Sequence, residues 1–192
     1  MPTWTALVTI AGITAGLINF LSPANAQTKK DLPKVDGRLI VEDNAGLFGP
    51  DGIRKAKGIL AEVRDHQQRQ MEVITVRELS ESKQKEIDKL TDAADRERFF
   101  TELTREEAKI CQAMGVFVAI YRKPFHVKVL CDKETRNKGF SLADEQRIKD
   151  AFVEKLNEAS KAEKEDEKQV LRDKGLLNAA ECVRDTYKKI VR

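Results

Sequence analysis

The sequence predicts an α/β domain built on a mixed sheet, and three features point there. Short β-branched runs such as MEVITV (71–76) alternate with longer stretches of helical spacing. Two β-rich runs, VFVAIY (116–121) and FHVKVLC (125–131), stand close enough to form a hairpin. No internal repeat suggests a solenoid. Strands separated by helices favour parallel pairing, whereas a hairpin forces one antiparallel pair, so the sheet is mixed and the layers number two or three.

Taken in order, the chain opens with an uncharged apolar run, ALVTIAGITAGLINFL (6–21), followed by SPANAQ, in which Ala24 and Ala26 bracket Asn25 in the small-x-small pattern that signal peptidase accepts. A signal peptide over 1–26, cleaved after Ala26, is the first expectation, and it implies a periplasmic or secreted protein. The alternative is an uncleaved N-terminal membrane anchor. No basic residue precedes the run, and it falls short of the roughly 20 apolar residues of a spanning helix before it meets Pro23. Residues 27–38, QTKKDLPKVDGR, are polar, are interrupted by proline and glycine, and read as a linker. The domain then occupies 39–192.

Leu39–Glu42 is the first expected strand. After GPDG (49–52), Ile53, Ala56, Leu60 and Val63 recur at helical spacing, so Pro50 enters the first turn of a helix expected to end near Arg69. MEVITVREL (71–79) is the second strand. The charged stretch 80–115 has sparse apolar positions, Ile87, Leu90 and Ala94, then Phe99, Leu103 and Ile110, which fit one or two amphipathic helices. Beyond the hairpin, Ser141 and Asp144 open a helix as a capping box, with Asp in place of the usual Glu or Gln, and Ile148, Phe152 and Leu156 form its buried stripe. The charge run at 160–174 is a solvated helix or connection. Leu176, Ala180, Val183, Tyr187 and Ile190 then mark an extra C-terminal helix that packs on the domain rather than in a coiled coil. The order is β-α-β-α-β-β-α-α.

Composition narrows the function classes. The 35 Lys+Arg and 32 Asp+Glu are interleaved and leave a net charge of only +3, and aromatics are 6%, so the clustered basic surface of a nucleic-acid binder is missing. Cys111, Cys131 and Cys182 allow at most one disulfide, by any of three pairings. There is no CxxC, CxxCH or HExxH, and His66 and His126 stand apart from any ligand-spaced partner.

Phosphate chemistry leaves few traces. In CDKETRN (131–137), Arg136 stands one residue too near Cys131 for a cysteine-phosphatase loop, and the glycines that would wrap a phosphate are missing. Aspartyl-phosphate, P-loop and serine-elbow motifs are also missing. DNAGLFGPDG (43–52) is acidic and glycine-rich, but Ala45 and Leu47 occupy alternate positions where an EF-hand needs oxygen ligands. Asp43 nevertheless ends a strand, where α/β sheets place their ligand crevices, and acids from other loops could join it. Asp43, Glu134 and Asp144 are therefore candidate metal ligands, with Asp132 nearby, and hard oxygen donors suit calcium, magnesium or manganese. The competing roles are structural: Asp43 as a turn-former and Asp144 as a helix cap. In the same turn, Gly46 and Gly49 permit unusual backbone angles and Pro50 starts the helix.

The ordered set IVEDNAGLF, MEVITVREL, GVFVAIY, HVKVLC and SLADEQRI resembles the TPM domain family over roughly residues 35–190. Its most specific piece is VxDxAGLF, at Val41, Asp43, Ala45, Gly46, Leu47 and Phe48. The resemblance implies an α/β/α sandwich around a mixed sheet, export across a membrane, divalent-metal binding near the strand-end aspartate in some members, and acid-phosphatase activity in some thylakoid members. Members usually carry Asn-Asn-Gly before the third strand and a glycine-rich GxGxE after the fourth, followed by Leu-x-Asp. This chain has QAMG and CDKETRNKGF there, and only Leu142 and Asp144 match the last element. Two functions follow as expectations: a non-enzymatic binding or accessory module for envelope or membrane proteins, or a divalent-metal-dependent acid-phosphatase-like hydrolase using Asp43, Glu134 and Asp144.

Overall fold

The computed structural model describes residues 39–63 and 70–190. The signal-like segment 1–26, the linker 27–38 and His66 lie outside them. Within the described residues the chain is a mixed α/β fold whose elements run β1 (Leu39–Asp43), α1 (Pro50–Ala61), β2 (Met71–Val76), α2 (Glu81–Ile87), α3 (Ala93–Ile110), β3 (Val116–Tyr121), β4 (His126–Cys131), α4 (Lys133–Asn137), α5 (Leu142–Lys161) and α6 (Glu165–Ile190). The strands form one sheet in the order β1-β2-β3-β4. β1 pairs with β2 and β2 with β3 in parallel, and β3 pairs with β4 antiparallel.

Alternation along β2 and β3 feeds two cores. Met71, Val73, Val116, Val118 and Ile120 face α1, α5 and α6, which contribute Ala56, Leu60, Ile148, Phe152, Leu176, Val183 and Tyr187. Ile74, Phe117, Ala119 and Tyr121 face the opposite way, toward Ile87 of α2 and Phe99, Phe100 and Leu103 of α3. The layers are thus helix, sheet, helix, an α/β/α sandwich. Both parallel steps move the same way across the sheet, yet α1 covers one face while α2 and α3 cover the other. One of the two crossovers therefore has the rare left-handed sense.

Several boundaries differ from the expectation, each for a local reason. α1 ends at Ala61 rather than near Arg69: Glu62 and Val63 close it with bonds to the carbonyls of Ile59 and Leu60, and Val63 leaves the helix to bury its side chain. β2 stops at Val76, because its neighbours run out: Thr75 pairs with Asp43 and Val76 with Tyr121. The stretch 80–115 holds two helices, the second capped by the Asp92 carboxylate, which accepts from the backbone N–H groups of Ala94 and Asp95. The five-residue α4 has no counterpart in the expected order. It is nucleated by Asp132, whose Oδ1 accepts from Thr135 N–H at 2.6 Å while Oδ2 accepts from Gly115 N–H at 2.7 Å. The capping box of α5 forms as expected, and α6 packs its Leu176, Ala180, Val183 and Tyr187 stripe against the domain. No helix among the described residues is long and apolar enough to cross a membrane. Cys111, Cys131 and Cys182 are all free thiols.

Edge strand β4 is protected by charge. Glu97 of α3 pairs with Lys128 at 2.7 Å and, around the strand edge, with Lys149 of α5 at 3.7 Å, and it lies 3.4 Å from the neutral ring of His126. Burial works against the ionised form of Glu97, but the hydrogen bond and charge of Lys128 hold its carboxyl below the ordinary value. The His126 ring stacks on Phe100 at 4.0 Å and 8°, and burial, assisted by Lys149 and Lys128 against the opposing pull of Glu97, pushes it down to about 4. Below pH ~6.5 the unfolded chain then takes up a proton that the folded chain refuses until about pH 4, so stability falls as pH drops through that window. We expect a loss of roughly 2 kcal/mol, kept below the full linkage value because solvent reaches part of the ring. In His126→Phe the slope between pH 6.5 and 4.5 should flatten. Urea midpoints measured across this range would contradict the account if variant and parent fell in parallel.

Candidate functional site

The VEDNAGLFG junction is a densely hydrogen-bonded turn. Asp43 Oδ1 accepts from Leu47 N–H at 2.9 Å and from the Thr75 hydroxyl at 2.6 Å, and Oδ2 accepts from Phe48 N–H at 2.7 Å. Thr75 Oγ1 in turn accepts from Ala45 N–H at 2.8 Å, and Gly46 N–H reaches the Asp43 carbonyl at 3.2 Å. Gly46 has φ +64°, a conformation glycine adopts at little cost. Gly49 is different from its expected role. Its φ of −79° suits any residue, and what it lacks is space, since a Cβ there would lie 3.0 Å from Asp173 Oδ2.

Asp173 and Gln169 reach this turn from α6. Asp173 Oδ1 accepts from Gly49 N–H at 2.8 Å, and Gln169 Nε2 donates to the Leu47 carbonyl at 3.0 Å and to Asp173 Oδ1 at 2.9 Å. The carboxylate of Asp173 thus stands at the N-terminus of α1, where the helix dipole favours an anion. The consecutive amides of Ala45, Gly46, Leu47, Phe48 and Gly49 are each bound within the protein. This turn has the position of a phosphate loop, but the amides of residues 45–49 are already taken and do not cradle a phosphate.

The three acids singled out in the sequence are not brought together. Pairing sets Leu39, Met71, Val116 and Cys131 in one row across the sheet, and Asp43, Thr75, Ile120 and Val127 in another. Asp43 and the end of β4 therefore lie at opposite ends and opposite edges, roughly 20 Å apart at ~3.3 Å per residue and ~4.8 Å per strand. Glu134, just past β4, is exposed and faces Lys138 at 3.6 Å. Asp144 Oδ2 accepts from Ser141 N–H and Oγ, while Oδ1 accepts from Thr186 Oγ1 at 3.2 Å and meets Arg147 at 3.5 Å. Burial would raise the Asp144 carboxyl, but the Ser141 hydrogen bonds hold it below the ordinary value. Among the described residues no group of three His, Cys, Asp or Glu side chains gathers as a metal site would need. The donor set Asp43, Glu134 and Asp144 does not fit one cation.

Cys131 has no nucleophile's surroundings either. Its backbone N–H donates to Glu145 Oε1 at 2.9 Å, and Arg136 holds the same buried carboxylate at 2.5 Å. Burial, then the Glu145 charge, pushes the thiol far above its ordinary range, the opposite of what thiolate chemistry requires. Burial likewise pushes Cys111 up to about 11, with Glu72 and Glu42 adding to it.

What the carboxyl end of the parallel strands does present is a cleft of about 270 Å³ beside the Asp43 turn. Leu47, Phe125 of the hairpin tip, and Leu156 and Ala159 of α5 give it an apolar floor. Arg122, Lys168 and Arg172 rim it. Arg172 and Lys168 share Glu165, at 2.8 and 3.5 Å, whereas the exposed Arg122 has no acidic partner among the described residues. Sequence reasoning passed over these residues because Arg122 lies in the hairpin connection and the two α6 cations lie inside a charge run; the one available signal was the strand-end position of the turn.

Comparison of the chain with protein-family models, curated proteins and solved structures gives no match.

Proposed function

We propose that the chain is an exported domain of the TPM type that works as a non-enzymatic binding or accessory module for envelope or membrane proteins. One observation carries this reading: at the strand end where a ligand is expected, Asp43 and the amides of 45–49 are committed to the turn, and the surface beside them is an apolar cleft rimmed by cations. Turnover needs a nucleophile, a base or an ion held near one point. Burial and the Glu145 charge hold the Cys131 thiol protonated, and Asp43 and Glu134 stand at opposite ends of the sheet. The α/β/α layering accords with the fold that the TPM resemblance implies, and export rests on the apolar run and the Ala24–Ala26 pattern.

The test is thermal unfolding of the full chain with and without millimolar calcium, magnesium or manganese, alongside a para-nitrophenyl phosphate assay. We expect no metal-dependent change in midpoint and no turnover. A bound ion at 100 times its Kd would stabilise the fold by about 2.7 kcal/mol, which is easily seen at this size. A rise in midpoint that disappears in Asp43→Asn, accompanied by ester hydrolysis, would overturn the module and restore the hydrolase.

A further inference from the structure

We propose that the cleft between the Asp43 turn, the hairpin tip and the α5–α6 connection takes an apolar side chain from an acidic segment of a partner protein. The inference rests on the binding-module reading and names its ligand. Size is the first argument. An apolar cavity of ~150 Å³ holds a benzene ring, whereas sites for drug-sized ligands and cofactors run from ~300 Å³ upward. At about 270 Å³, this cleft suits one aromatic or branched aliphatic side chain with part of its backbone.

Charge is the second argument. Arg122, Lys168 and Arg172 line the cleft, Glu165 pairs with Lys168 and Arg172, and Arg122 is left uncompensated among the described residues. An acidic flank on the ligand would complete that charge and steer its approach.

Shape separates a peptide from a lipid surface. Adsorption to an anionic bilayer uses clusters of about 4–8 Lys/Arg on an outward-facing surface. Here only three cations line a recess whose apolar groups, Leu47, Leu156 and Ala159, are buried, with Phe125 substantially exposed at 48%. A recess receives a side chain, whereas a bilayer needs a protrusion.

The experiment uses the purified full chain and two probes in fluorescence polarisation and co-sedimentation. The first is a fluorescein-labelled hexapeptide with one phenylalanine flanked by glutamates. The second is a vesicle rich in phosphatidylglycerol. We expect the peptide to bind and to weaken as salt is raised from about 0.05 M to about 0.3 M. Its affinity should fall on the order of tenfold in Arg122→Glu, an exposed change that leaves the core intact. Replacement of the peptide's phenylalanine by alanine should remove binding. Peptide affinity unchanged in Arg122→Glu, retention of vesicles without the peptide, or no binding of either probe would each overturn the proposed ligand. None of these outcomes touches the module itself, which fails only on metal-dependent turnover.

Discussion

Asp43→Ala should lower the stability of the fold by about 3 kcal/mol, the combined effect of orphaning two backbone donors and one hydroxyl around a charged acceptor. The donors are Leu47 and Phe48 N–H, on residues only 6% and 8% exposed, and the Thr75 hydroxyl. Water can replace the carboxylate only in part, so the turn has to rearrange. For a domain of this size that loss corresponds to a fall in Tm of roughly 10 °C. Asp43→Asn keeps one carbonyl oxygen and should lose about half as much. Because Leu47 forms part of the cleft floor, Asp43→Ala should also weaken whatever the cleft binds. A loss below 1 kcal/mol by denaturant titration would mean that Asp43 is not the organiser of the turn, and its place at the strand end would need another explanation.

The second large effect concerns a close approach. In Gly52→Ala the new Cβ would sit 2.4 Å from Asp173 Cγ and 2.8 Å from its Cβ, too near for a rotation of the carboxylate alone to relieve. Asp173 must swing away, giving up Gly49 N–H and Gln169. Overpacking costs ~1–3 kcal/mol and a lost hydrogen bond to a charged group ~1.5–3, against ~1 recovered from helix propensity, so a net loss of about 3 kcal/mol is expected. The decisive comparison is the same substitution in an Asp173→Gly background, which removes the carboxylate and the Cβ together, so that the clash is gone and Gly52→Ala should be neutral or mildly stabilising. Additive losses in that cycle would show that Asp173 is not what fixes the glycine.

Much of this architecture was legible from periodicity. The hairpin, the Ser141–Asp144 capping box and the stripe from Leu176 to Tyr187 are local patterns, and each formed where the spacing put it. What escaped is long-range or very short. Five residues of α4 are too few to show a period. No local signal ties Asp173 or Gln169 to a turn 124 or 122 positions away, nor does sequence distinguish a glycine needed for space, such as Gly52, from one needed for φ, such as Gly46. The grouping of Asp43 with Glu134 failed for a reason that was readable. β1 to β3 run parallel and the hairpin turns β4 back, so the carboxyl end of β4 lies at the opposite end of the sheet from Asp43. The resulting separation leaves each acid to its own local donors.

The reach of α6 back to the first turn also sets a clock during synthesis. At ~5–20 residues per second, the ribosome takes roughly 6 to 25 s after making Gly49 to produce Asp173, 124 positions later. Until then the Gly49 amide and the Leu47 carbonyl have no partner from α6. The first turn of the nascent chain therefore stays more open to a protease until its long final helix docks.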